Sequence, residues 1–136
     1  MRLSRKSDYA LRAVRYCTNL PKGQRGSINS IAEFENIPRE FLAKILRDLT
    51  AGGILASHQG VKGGYTLARK PREINFLNVI EAVDGPLHLS LSTENRKRWK
   101  DRLDSGDMGD FWTEREKSFK QALSRQHFAR YLESSS

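Results

Sequence analysis

A chain of 136 residues, 38% hydrophobic and 29% charged, is the length of one ordinary domain or of one compact domain plus an extra element. Cys17 is the only cysteine, which excludes an internal disulfide and an all-thiolate zinc or iron–sulfur site and fits a reducing compartment. The 24 Lys and Arg residues against 16 Asp and Glu leave a net charge of +8, which favours a polyanionic partner, nucleic acid first and an anionic membrane face second.

No apolar run approaches the roughly 20 residues needed to span a bilayer, and charges interrupt the N-terminus where a signal peptide needs its apolar stretch. A cytoplasmic protein with no membrane partner is expected. The charge is uneven: residues 1–86 hold 14 basic and 8 acidic side chains, residues 87–136 hold 10 and 8. An anion-binding surface therefore belongs to the first part of the chain.

From Ser4 to about Leu20, Tyr9, Leu11, Ala13, Val14 and Cys17 form an apolar helical stripe, with Arg5, Lys6, Arg12 and Arg15 outside it. Ser4 is a candidate cap, and Pro21 ends the helix. Residues 21–26 are polar and glycine-containing and read as a loop. A short helix follows, capped by either Ser27 or Ser30, with Ile28, Ile31 and Ala32 on one side. Asn36, which tolerates left-handed dihedrals, and Pro38, suited to a first helical turn, predict a tight turn before the next helix.

Residues 38–51 place Phe41, Leu42, Ile45, Leu46 and Leu49 inward and Arg39, Glu40, Ala43, Lys44, Arg47 and Asp48 on the other side, until Gly52 and Gly53 stop the helix. Two helices joined by a tight turn, the second with a basic outer face, outline a helix-turn-helix. Residues 54–69 then read as two short strands around a glycine-rich turn with Lys62 at its tip, in the position of a wing. Glycine suits any hairpin turn; it also allows a backbone to approach a phosphate closely.

Residues 75–83 predict a further amphipathic helix. The stretch Glu94 to Asp110 carries five acidic and five basic residues, a balance unsuited to DNA and better suited to a protein surface or to disorder. Residues 111–133 predict a long helix with a ridge of Phe111, Trp112, Phe119, Leu123, Phe128 and Leu132, and 134–136 form a tail. That ridge must be covered. The same helix of a second chain is the economical partner, giving a two-fold dimer; folding back on its own domain is the alternative. The expected fold is thus mainly α with a small β-hairpin wing: a winged helix-turn-helix domain over 1–86, a charged loop over 87–110 and a C-terminal dimerisation helix.

The chain offers no convergent nucleophile and base, no phosphate-binding Gly-Lys-Ser/Thr loop and no metal spacing among its three histidines, so an enzyme is not expected. Neither a metal nor another cofactor is expected. The competing reading is a winged-helix protein-interaction module whose charged loop docks a partner protein.

Ser4, Lys6, Asp8-Tyr9-Ala10-Leu11-Arg12-Ala13, then Ile31-Ala32-Glu33, Ile37-Pro38, Phe41-Leu42 with Lys44-Ile45-Leu46 and Leu49, Gly53-Ile54-Leu55, Gly63-Gly64-Tyr65 with Leu67-Ala68-Arg69, and Glu81-Ala82-Val83-Asp84-Gly85 together resemble the Rrf2 family of bacterial regulators. The resemblance runs from residue 1 to about residue 86. It implies a winged-helix homodimer that binds double-stranded DNA at a pseudo-palindromic operator, most often as a repressor. Carried onto matching positions, it places Arg39, Glu40, Phe41 and Ala43 at the groove-facing start of the recognition helix. Lys44 and Arg47 then reach phosphates, and Gln59 and Lys62 lie at the wing.

Two positions depart from the family. Gln59 stands where several relatives have arginine, which weakens cation insertion into the minor groove and leaves Lys62 as a partial substitute. Phe41 stands where a tyrosine could bond a phosphate, and core packing is its alternative role. Cluster-binding relatives carry three cysteines in the loop before the long helix, and residues 87–110 contain none. The resemblance therefore implies no cysteine-ligated [2Fe–2S] cluster here; the effector is left as a small molecule or a partner protein. Asp8 matches a carboxylate ligand of some relatives but reads here as an acidic residue favourable to a helix start. His88 reads as a surface residue, and Cys17 as an inert thiol on an apolar stripe with a thiol switch as the alternative.

Overall fold

A computed structural model describes residues 3–89 and 106–133. The elements, in order, are α1 (Arg5–Thr18), α2 (Ile28–Glu35), α3 (Arg39–Ala51), β1 (Leu55–His58), β2 (Gly64–Leu67), a 3-10 turn (Pro71–Glu73), α4 (Phe76–Asp84), α5 (Gly106–Ser124) and a second 3-10 turn (Phe128–Tyr131). Most of the charged loop, including Trp99 and Leu103, lies outside the described residues, as does the tail at 134–136.

Local chemistry sets the helix ends. Ser4 accepts from the Ser7 backbone N–H and caps α1, and Ser27, not Ser30, caps α2 by accepting from the Ser30 backbone N–H. Asn36 ends α2 at φ 55°, a left-handed position that asparagine tolerates. The fully buried Ser7 and the capping Ser4 both donate hydroxyl hydrogen bonds to Asp84 Oδ2. The acid at the C-terminal end of α4 therefore lies against the positive end of α1, where the helix dipole favours it.

One core joins the first three helices to the wing and α4. Ala10, Ala13, Val14, Ile31, Leu42, Ile45, Leu46, Leu49, Ile74 and Val79 are completely buried in it. β1 and β2 pair antiparallel with Leu55 opposite Leu67 and His58 opposite Gly64. Gly26 adds a further rung, donating to the Tyr65 carbonyl at 2.9 Å and accepting from the Tyr65 N–H at 2.8 Å. This approach requires glycine on the hairpin side. A Cβ on Gly64 would lie 2.7 Å from the Gly26 carbonyl oxygen, well inside van der Waals contact.

The C-terminal part corrects the sequence reading. The expected helix over 111–133 is instead Gly106–Ser124, and Phe128 and Leu132 lie beyond it. After Ser124 the chain turns back: the Phe76 N–H donates to the Gln126 carbonyl at 3.0 Å and the Phe128 N–H to the Ile74 carbonyl at 3.1 Å. Phe128, 1% exposed, packs with Phe76 and Tyr131 at ring separations of 5.2 and 6.2 Å. The segment is also tied to α1, because Asn19 Nδ2 donates to the Tyr131 carbonyl and Asn19 Oδ1 accepts from the Glu133 N–H. Phe128 is thus a core residue of its own domain and not a contact on the helix ridge. Burying a phenylalanine stabilises by roughly 1.5–3 kcal/mol, more than a further exposed helical turn provides.

Candidate nucleic-acid interface

The outward faces of α3 and the hairpin carry the sequence-predicted residues. Arg39, Ala43 and Arg47 follow one another at four-residue steps, with Glu40 and Lys44 beside them, so all five share the face opposite the buried Leu42, Leu46 and Leu49. Arg39, Glu40, Lys44 and Arg47 are exposed, and Ala43 is half-buried. Phe41 lies on a different flank. It meets Tyr9 of α1 edge to face at 5.6 Å, remains 43% exposed, and forms with Lys6, Glu40, Lys44 and Ile45 a groove between α1 and α3.

The turn before α3 is anchored from α1. Arg12 Nη1 donates to the Glu35 carbonyl at 2.8 Å, its guanidinium lies 4.9 Å from the Tyr9 ring, and its Nε is 3.3 Å from Asp8 Oδ2. Arg15 pairs with the buried Glu35 carboxylate at 3.6 Å, and Lys6 with Asp48 at 3.1 Å. Lys6, Arg12 and Arg15, which the sequence places outside the apolar stripe of α1, thus fix α2 and α3. They also consume the neighbouring acids.

The cations of α3 and the wing are different. Among the described residues, Arg39, Lys44, Arg47 and Lys62 have no carboxylate oxygen within 4.0 Å. Gln59 and Lys62 are both exposed on the hairpin, as is Val61 between them. Gly63 N–H donates to the Gly60 carbonyl at 2.9 Å and closes the tip. A Cβ on Gly63 would stand 2.7 Å from the His58 carbonyl oxygen, so only glycine keeps this tip so narrow.

Two polar residues near this surface escape a reading of the sequence. Asn29, in the first turn of α2, accepts a 2.7 Å hydrogen bond from Arg39 Nε. Arg25, in the loop before α2, donates from Nη1 to the Lys62 carbonyl at 3.2 Å. Neither has a local sequence signal, because the partners lie 10 and 37 positions apart and meet only in the folded chain.

Cys17 and His88 lie away from this face. Burial among the α1 core residues pushes the Cys17 thiol up to about 12. His88 Nδ1 is 3.3 Å from Glu116 Oε1 of α5, and the Leu89 N–H donates to the same oxygen.

A tight helix-turn-helix with an unneutralised outer helix, followed at once by a hairpin, is the architecture of a winged-helix DNA-binding domain. Two solved structures share it: CymR, the global cysteine regulator of B. subtilis (TM-score 0.73, 22% identity, covering 95% of this chain and 94% of that one), and IscR of T. potens (TM-score 0.72, 25% identity, 95% and 84%). The chain belongs to the Rrf2 family, whose model, described as an iron-dependent transcriptional regulator, matches residues 3–134.

Among curated relatives, a protein of Mycobacterium tuberculosis named as an HTH-type transcriptional regulator is 38% identical over 87 residues, 64% of this chain and 54% of that one. The HTH-type transcriptional regulator NsrR of Shouchella clausii is 32% identical over 89 residues, 65% of this chain and 60% of that one. The chain spans little more than half the length of these relatives.

Proposed function

We propose that this chain is a sequence-specific DNA-binding regulator that acts as a homodimer on a pseudo-palindromic operator and represses by occupying it. The observation that carries the reading is the sorting of charge. Lys6, Arg12 and Arg15 of α1 are paired with Asp48, Asp8 and Glu35, whereas Arg39, Lys44 and Arg47 of α3 and Lys62 of the wing have no acidic partner among the described residues. Unpaired Lys44, Arg47 and Lys62 suit phosphates, whose release of counterions makes affinity strongly salt-dependent. Arg39, Glu40 and Ala43 suit base edges in the major groove.

Dimerisation is read from α5. Phe111 and Phe119 are 54% and 38% exposed on that helix, with Trp112 and Leu123 partly covered beside them. Pairing two copies of this face covers the aromatic rings. In the dimer the recognition helices stand about one DNA turn apart, roughly 34 Å.

The family description implies iron. Cys17, the only cysteine, is buried on the inner face of α1 with a thiol held neutral, and Asp8 is already paired with Arg12. These donors do not fit a cysteine-held cluster, so the signal is read as a small molecule or a partner protein. The test is retardation of a duplex selected from random DNA: Arg39→Ala and Lys44→Ala weaken it by about tenfold or more, as loss of one good base or phosphate contact does. Unchanged retardation by both variants removes the assignment to α3.

A further inference from the structure

The hairpin is broader than its two strands. Through the paired hydrogen bonds of Gly26 and Tyr65, the residue before Gly26 rides on the wing. That residue is Arg25. It is exposed, and its guanidinium donates to the Lys62 carbonyl at 3.2 Å. The Arg25 side chain is therefore held beside the tip instead of trailing in a connecting loop.

Only this one hydrogen bond of the five-donor guanidinium is made among the described residues. No carboxylate oxygen there lies within 4.0 Å of Arg25 or of Lys62. Two cations at one narrow tip repel each other unless an anion lies near both. Gln59, on the same hairpin, contributes no charge.

We propose that Arg25 is a DNA-contacting residue of the wing, its guanidinium bonding a backbone phosphate next to the one met by Lys62. Arg25 thus supplies the second wing cation from outside the hairpin. A planar fork with donors on several edges can keep the Lys62 carbonyl and bond a phosphate at once. The inference rests on the DNA-binding reading above, and the experiment separates the two.

The probe is a duplex selected from random DNA, and affinity is followed by fluorescence anisotropy across a salt series. Arg25→Gln is expected to weaken binding about five- to tenfold near physiological salt and to lower the salt slope by about 0.9, one phosphate contact. Lys62→Gln lowers the slope similarly, and the double variant by about twice as much. Arg25→Lys keeps the slope, and thermal melting confirms that every variant is folded. If Arg25→Gln keeps the parental affinity and slope on a duplex that Arg39→Ala no longer holds, the proposal fails while the DNA-binding reading stands. Weaker binding with an unchanged slope makes Arg25 a brace for the wing and also overturns the contact. If the parental chain retains no duplex, both readings fall together.

Discussion

Arg39, the first residue of α3, is held by Asn29 of α2 through a 2.7 Å hydrogen bond from its Nε. The bond restrains the guanidinium and leaves its terminal nitrogens without a hydrogen bond among the described residues, and pre-orientation lowers the ordering cost of binding. Asn29→Ala should therefore weaken operator binding about three- to tenfold without touching any DNA-facing side chain, while Arg39→Ala weakens it further. The double variant should be no worse than Arg39→Ala. Additive losses in anisotropy titrations would show that Asn29 acts independently of Arg39.

Gly64 tests how the wing is built. A methyl group there would meet the Gly26 carbonyl oxygen at 2.7 Å, so Gly64→Ala should open the rung between the loop and β2 at about 1–3 kcal/mol. Helical circular dichroism should be preserved and DNA affinity should fall at least about tenfold. Parental affinity in this variant would mean that the position of the wing does not matter for binding.

Phe128 and the α5 aromatics should separate stability from assembly. Phe128→Ala removes a ring that is 1% exposed and should cost about 3–5 kcal/mol in urea unfolding. The double change Phe111→Ala with Phe119→Ala should leave the fold intact and shift sedimentation from dimer to monomer. If it sediments as the parent does, α5 is not the dimer surface.

Cys17 gives a pH dependence. Its thiol, pushed up to about 12 in the folded chain from an ordinary 9.0, binds its proton more tightly folded than unfolded. That stabilisation is complete below about pH 9 and is lost as pH rises from 9 through 12. A Cys17→Ala variant should lack this component of alkaline destabilisation, and the parental thiol should react with disulfide reagents at pH 8 only once denaturant unfolds the chain. Fast modification of the native protein would place the thiol at an accessible site.

Much of the winged domain could be read locally. The cap at Ser4, the left-handed Asn36 and the apolar stripe of α3 depend on residues within a turn or two of one another, and local pattern reports such relationships directly, whereas Ser27 and Ser30 are equal candidates in the sequence and only the folded chain selects Ser27. The end of the chain could not be read this way. Phe128 continues the aromatic ridge at helical spacing, and Arg125-Gln126-His127 contains no glycine or proline to announce a break. The helix ends there because Gln126 and Phe128 bond the backbone at Ile74 and Phe76, a relationship some fifty positions long. The same holds for the interface: the exposed face of α3 is legible from its spacing, whereas the Asn29–Arg39 and Arg25–Lys62 bonds join residues 10 and 37 positions apart.

Sequence-specific recognition of duplex DNA by a pair of these domains is tested by selecting bound duplexes from a random pool with the purified chain. An inverted repeat whose half-sites lie about one helical turn apart, roughly 10 base pairs, should be enriched, and Arg39→Ala should abolish the enrichment. A selected pool no different from the starting one would contradict it.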